Sequence, residues 1–180
     1  MSVGTALTIV RTEDLSAGTR ASIIEVCVAA FRSSSFEQMF DHIPAGGRHV
    51  LLQRDDQVVG HAVVTTRWLQ PDGSPALPTA YVDAVATLPR YQRQGCGRMV
   101  MQHLASHIED CAIGALKTAS PGFYARLGWE LWRGPLAGRR AGDVVPTPEQ
   151  RGVMILRLPQ TPALDLDGAL SIECQPGRIW

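Results

Sequence analysis

A chain of 180 residues, 45% of them hydrophobic, can bury one sizeable core and is read as a single domain over 1–180. Its 17 basic residues are balanced by 17 acidic ones, so net charge supplies no pull toward nucleic acid or an anionic membrane. No basic segment followed by an apolar run opens the chain, and no stretch approaches bilayer-spanning length; a cytoplasmic protein with no membrane partner is expected.

Residues 7–11 are a short strand candidate, and Ser16 is placed to cap the helix that follows. Ile24, Cys27, Val28 and Phe31 fall at i, i+3, i+4, i+7, the stripe of a core-facing helix. Residues 33–40 read as a second, short helix with Phe36, Met39 and Phe40 clustered, ended by Pro44, Gly46 and Gly47. Residues 49–54 and 58–69 read as a hairpin turned at Asp55-Asp56-Gln57, and the proline-rich stretch 70–78 as the next loop. Tyr81, Val82, Val85 and Ala86 then favour a strand, which stops by Leu88 because Pro89 cannot donate to a ladder. After a glycine loop, Val100, Leu104 and Ile108 recur every four residues with Met101 alongside, predicting an amphipathic helix.

Residues 112–118 are another apolar strand. Pro121, Phe123, Tyr124 and Leu127 make a short helix closed by Gly128, and 129–132 resumes strand character. Residues 134–148 read as a surface loop and 153–158 as the last clear strand. This order predicts an α/β fold, a mixed central sheet flanked by helices on both faces. Cys27, Cys96, Cys111 and Cys174 are scattered with no CxxC pair, so reduced thiols are expected rather than disulfides or zinc ligands. His103 and His107 share a helix face at i, i+4, but a third ligand is not evident and no metal is expected.

The loop Arg93-Gln94-Gly95-Cys96-Gly97-Arg98 lies between strand and helix. Its glycines admit close backbone approach, and the helix start offers N–H groups without intrahelical acceptors, a seat for pyrophosphate assisted by Arg93 and Arg98. A Walker loop would continue Gly-Lys-Ser/Thr, and a dinucleotide fingerprint would place a third glycine near Val100; neither occurs. Gln92-x-x-Gly95-x-Gly97, after a strand ending at proline and opening an amphipathic helix, resembles the acetyl-CoA loop of the GCN5-related N-acetyltransferases. The segment Ser-Pro-Gly-Phe-Tyr-Ala-Arg-Leu-Gly-Trp over 120–129 resembles that family's second signature, a tyrosine on a short helix before an R-x-G-[WF] turn. With Thr147-Pro148-Glu149 and the final Arg178-Ile179-Trp180, the pattern is similar to the aminoglycoside 2'-N-acetyltransferases.

The resemblance implies acetyl-CoA as cosubstrate, gripped by Gln92, Arg93, Gln94, Gly95, Cys96, Gly97 and Arg98. It implies that Val85 and Thr87 offer main-chain groups to the pantetheine where the strand splays, with an N–H there holding the developing oxyanion. Asp83 takes the position of the general base, one methylene shorter than the family's usual glutamate, and Tyr124 that of the acid that protonates, or hydrogen-bonds to, the departing thiolate. Ser35, Phe36, Glu149, Arg178 and Trp180, with Asp83, are the implied substrate contacts; the tail 170–180 is expected to fold back near that site. The family's acidic contacts fall on Ser35, Gln150 and Arg178, where the negative charge is absent or reversed. A substrate with fewer amines, or one carrying an acid that Arg178 grips, is therefore expected. Kasugamycin fits, and its acetylation would confer antibiotic resistance. An acetyltransferase for another small amine or a protein N-terminus, and a non-catalytic acyl-CoA-binding module, are the competing readings. Edges of such sheets pair readily, which leaves a homodimer open.

Overall fold

Strands β2 (Arg48–Arg54) and β3 (Gln57–Pro71) pair antiparallel around Asp55 and Asp56, both at positive φ (47° and 61°). Two left-handed residues in succession match the twist of a tight hairpin, and aspartate accepts that conformation more readily than most residues. The expected turn is thus in place. The computed structural model describes residues 4–176 and 178–180, so that Gly177 alone of the expected tail lies outside. These form two compact units, Met1–Thr65 with Val82–His107 and Thr66–Tyr81 with Ile108–Trp180.

In the first unit, β1 (Thr5–Arg11) adds antiparallel to β2. Helix α1 (Ala17–Phe31) starts where expected, Ser16 Oγ accepting the Thr19 N–H at 3.1 Å. Its core face is rotated from the expected stripe. Ile23, Val26 and Cys27 are buried, whereas Phe31 is 45% exposed and stacks on Phe36 at 4.5 Å. The helix is apolar nearly all round its middle, so spacing alone did not select the face. The expected short helix is present as a 3-10 segment (Ser34–Asp41) with Met39 buried. Strand β4 (Leu77–Thr87) enters this unit at Val82 and is followed by a 3-10 turn (Pro89–Tyr91) and helix α2 (Cys96–Ala105). The expected helix reached Ile108; the observed one stops earlier, because Ser106 Oγ (2.9 Å) and His107 Nδ1 (2.8 Å) both bond the His103 carbonyl.

The second unit holds β5 (Ile113–Lys117), α3 (Pro121–Ala125), β6 (Glu130–Leu131), β7 (Leu136–Arg140), β8 (Asp143–Pro146), β9 (Val153–Arg157) and β10 (Leu170–Glu173). The strand order is β6-β9-β5-β4-β3-β10-β7-β8, and the parallel β10–β7 pair among antiparallel ones makes the sheet mixed, as expected. Two expectations are corrected here. The stretch 134–148 contains the β7–β8 hairpin, turned at Ala141 and Gly142 with φ of 50° and 93°. The stretch 153–158 is not the last strand, since β10 lies between β3 and β7. Leu69, Tyr81, Ile113, Trp132, Leu136, Ile155, Ile172 and Trp180 share this unit's core, each such side chain contributing about 1.5–3 kcal/mol on burial. Among the described residues no helix is long and apolar enough to cross a membrane. All four cysteines are free thiols.

Candidate active site

In the first unit, the chain leaves β4 and turns into α2 through a left-handed Gly95 (φ 82°) at the helix N-cap. A side chain there would be strained whatever space surrounded it. Arg93, also left-handed at φ 60°, and Arg98 are exposed. The outward N–H groups of the first helical turn therefore stand beside two cations, a donor set that suits a pyrophosphate. Gln92 and Gln94 brace this loop. Gln92 Nε2 donates to the Thr87 carbonyl at 3.1 Å, and Gln94 Nε2 to the Arg90 carbonyl at 2.8 Å while its Oε1 accepts from Arg54 at 3.2 Å. Cys96 is 1% exposed, so its thiol faces the interior and is no acyl carrier.

Asp83, Ala84 and Val85 are half-buried on β4. Ala84 interrupts the extended backbone at φ 49°, costing about 1–2 kcal/mol for a residue with a Cβ. Its carbonyl accepts a hydrogen bond from His61 Nδ1 at 2.9 Å. Behind it runs a buried chain. His61 Nε2 meets His49 Nδ1 at 3.0 Å, and His49 Nε2 meets Thr12 Oγ1 at 3.1 Å. A carbonyl can only accept, so Nδ1 of His61 carries the proton and its Nε2 accepts from His49 Nδ1–H. The Thr12 hydroxyl carries one proton and has two acceptors within reach, His49 Nε2 at 3.1 Å and the Gly47 carbonyl at 3.1 Å, the latter also accepting the Thr12 N–H at 2.8 Å. Burial first, then the charge of Arg20, holds His49 down to about 4; burial first, then His49, holds His61 down to about 3. Cys27, 3.7 Å from His61 Nδ1, is pushed up to about 12 by burial and stays a thiol.

Both imidazoles are neutral in the folded chain and have ordinary values near 6.5 when unfolded. The unfolded state therefore binds more protons below that pH. Stability is complete above about pH 7 and is lost as pH falls toward 4 and then 3, by on the order of 3 kcal/mol per histidine at pH 4. Urea midpoints measured from pH 7 to 4 should fall, and the fall should shrink in His49→Gln. An unchanged slope in that variant would contradict the assignment.

In the second unit, Tyr124 on α3 is 8% exposed, edge-on to Phe123 at 4.9 Å and to Trp129 at 6.2 Å. Burial pushes its hydroxyl up to about 12, partly offset by a hydrogen bond with the Thr118 side chain. Thr118 is held in turn by its N–H to the Gly152 carbonyl at 2.9 Å. Gly152 (φ 77°) cannot be replaced without strain, since a Cβ would lie 1.9 Å from the Thr118 carbonyl oxygen. At the end of β5 that leads to Thr118 lies a cavity of about 420 Å³ lined by Lys117, Arg140, Gln150, Arg178, Ile179 and Trp180, with Gln175.

Of the expected substrate contacts, Arg178 and Trp180 meet in this cavity. Trp180 is packed into the unit's core with Nε1 donating to Thr147 Oγ1 at 3.1 Å, and Arg178 lies over the Tyr81 ring at 5.5 Å. Glu149 is exposed beside Gln150, whose Nε2 donates a hydrogen bond to it at 3.0 Å; that bond first, then its own backbone N–H and the charges of Lys117 and Arg151, keep its carboxyl below the usual range. Ser35 and Phe36 belong to the first unit and are not among the lining residues. Lys117 and Arg140 were missed from sequence. Arg140 fell in the supposed loop, and the lysine ends an otherwise apolar strand with no local signal of a ligand.

The sequence pattern of the Acetyltransferase (GNAT) family matches residues 11–129, well over half of the chain. Solved structures share the fold at low identity. The GNAT family N-acetyltransferase YhbS from Escherichia coli, in complex with CoA, is 16% identical with a TM-score of 0.63, covering 95% of this chain and 91% of that one. The ribosomal-protein-S18-alanine N-acetyltransferase from Escherichia coli is 20% identical at a TM-score of 0.58, with 89% and 97% covered. A GCN5-related N-acetyltransferase from Kribbella flavida is 22% identical at 0.58 over 73% of this chain, which spans only 34% of that protein's length.

Proposed function

The chain belongs to the Acetyltransferase (GNAT) family, and on that footing we propose that it moves the acetyl group of acetyl-CoA directly to an amine of a small aminoglycoside that also bears an acid, with kasugamycin the favoured example. The observation that supports the substrate half is the cavity, whose described lining includes the basic residues Lys117, Arg140 and Arg178 and no carboxylate side chain. Like charges facing one another in a partly desolvated pocket repel strongly, so a polycationic drug is a poor occupant and an anionic group a good one. Its volume suits a small molecule.

The first α2 turn with Arg93 and Arg98 would hold the coenzyme's diphosphate, which presents an activated thioester for aminolysis. Asp83 takes the ammonium proton, directly or through water, because only the neutral amine attacks. A main-chain N–H at Val85 meets the charge that develops on the carbonyl oxygen. Tyr124 hydrogen-bonds to the leaving sulfur. With its hydroxyl pushed up to about 12 against about 8.5 for an alkyl thiol, complete transfer of its proton to a thiolate would be uphill by ~5 kcal/mol. Stabilisation of the thiolate is therefore its role, rather than full protonation. Acetylation removes the amine's positive charge, and resistance would follow from that loss in an antibiotic. Coenzyme release should be faster with kasugamycin than with gentamicin or tobramycin. Equal or better turnover of the two polyamines would refute the substrate reading and leave the acetyltransferase reading standing.

A further inference from the structure

We propose that the Thr12–His49–His61 chain is a positioning device for acyl transfer, locking the left-handed kink at Ala84 that sets Asp83 and Val85 on either side of it. The inference rests on the acetyltransferase reading above and adds residues outside the coenzyme loop and the candidate acid and base. Its geometric basis is continuous: Thr12 Oγ1, His49 and His61 are linked at 3.1 and 3.0 Å, and His61 Nδ1 reaches the Ala84 carbonyl at 2.9 Å. Both rings are fully buried at 0% exposure. An imidazole pair in a strand core is a costly choice where two apolar side chains would pack, unless its directional bonds are needed. Here the last of those bonds ends on the one residue of β4 with positive φ. Strain of that kind persists only where the surroundings over-determine it.

The outer end is anchored as well. Arg20 Nη2 donates to the Thr12 carbonyl, and its guanidinium lies 4.7 Å from the Phe40 ring, which in turn packs on His49 at 5.6 Å. Among the described residues, Arg20 and Cys27 are the charged or titratable groups that face the rings, and Asp83 precedes Ala84 in sequence. His61 does not touch the reacting atoms. It acts through the Ala84 carbonyl, and His49 acts by fixing which nitrogen of His61 carries the proton.

Nitrogen-15 spectra of the wild-type chain should show both rings as Nδ1–H tautomers. An Nε2–H tautomer at His61 would overturn the proposal without any variant being made. Leucine at 61 keeps the volume and removes the donor, whereas asparagine places an N–H near the former Nδ1. We expect His61→Leu to lower kcat at least 10-fold, with CoA affinity within about 3-fold of wild type and amide exchange at 83–85 accelerated over 10-fold. His61→Asn should recover most of the kcat and slow the exchange again. Equal kcat and equal exchange in the two variants would assign His61 to packing alone and sink the idea. Should the wild type release no coenzyme with any amine, the activity reading fails, while the tautomers and the exchange at 83–85 still decide whether the chain locks the kink.

Discussion

Arg67→Ala is expected to lower the unfolding free energy by about 3–5 kcal/mol, the usual cost of removing one partner of a buried ion pair. Arg67 on β3 is 0% exposed. Its Nε donates to Glu173 Oε1 at 3.0 Å, and its Nη2 donates to the Glu173 carbonyl and to the Ile179 carbonyl at 2.9 Å. The guanidinium lies 5.1 Å from the Tyr81 ring centroid. Removal orphans two carbonyls, leaves a void against Tyr81 and deprives a carboxylate of its counter-charge. The last loss is tempered, because the Glu173 side chain is 32% exposed and keeps the Trp68 N–H at 2.8 Å. The lower half of the range is therefore expected. Lysine retains charge but not the planar fork that serves three acceptors at once, so Arg67→Lys should fall between wild type and alanine. Urea midpoints check this, and a loss below about 1 kcal/mol for alanine would show that tail and strand hold together without the arginine. Because Ile179 and Trp180 line the cavity, surviving Arg67→Lys enzyme should show a raised amine KM before any fall in kcat.

The Arg67–Glu173 contact also explains why β10 escaped the sequence. Leu170–Glu173 is a short strand whose partners are fixed by an ion pair 106 residues apart, and nothing local announces it. The β7–β8 hairpin was hidden by composition. Glycines and arginines mask its alternation, although Leu136 and Gly138 are buried and Ala137 and Arg139 less so. By contrast, Ser16, the Asp55-Asp56 turn and the β4–glycine–α2 succession depend on neighbours in sequence and were legible. The histidine chain was not, for a definable reason. An unbroken register from Gln53↔Val58 would put His61 opposite Val50, on the other face from His49. The irregularity between Leu52 and Gln53 shifts the ladder by one, pairing Leu51 with His61 and bringing both rings to one face. The cationic cavity is likewise a product of convergence, since Lys117, Arg140 and Arg178 sit on three separate segments.

Asp83→Asn is expected to cut kcat by ~10²–10⁴-fold, the contribution of a positioned general base, with coenzyme affinity unchanged. Asparagine keeps the size and hydrogen-bonding reach of the aspartate but cannot accept the ammonium proton. The loss should therefore be greatest where the amine is mostly charged and should shrink as pH rises toward the amine's own pKa. A merely structural aspartate would give a deficit independent of pH. Tyr124→Phe should cost less, ~10–10²-fold, because a hydrogen bond to a charged group is worth about 1.5–3 kcal/mol. The Tyr124 deficit should be nearly flat across the neutral range, its hydroxyl being pushed up to about 12 and so protonated throughout. Steady-state coenzyme release across pH 6–9, on both variants, separates the two roles. A flat deficit for Asp83→Asn would remove it as the base, and wild-type rates in Tyr124→Phe would remove the thiolate contact. Affinity for CoA, titrated on the same proteins, isolates the chemical step from the glycine loop. If even the wild type failed to bind the coenzyme, the donors at the start of α2 would be no diphosphate seat and acyl transfer would have no thioester to act on.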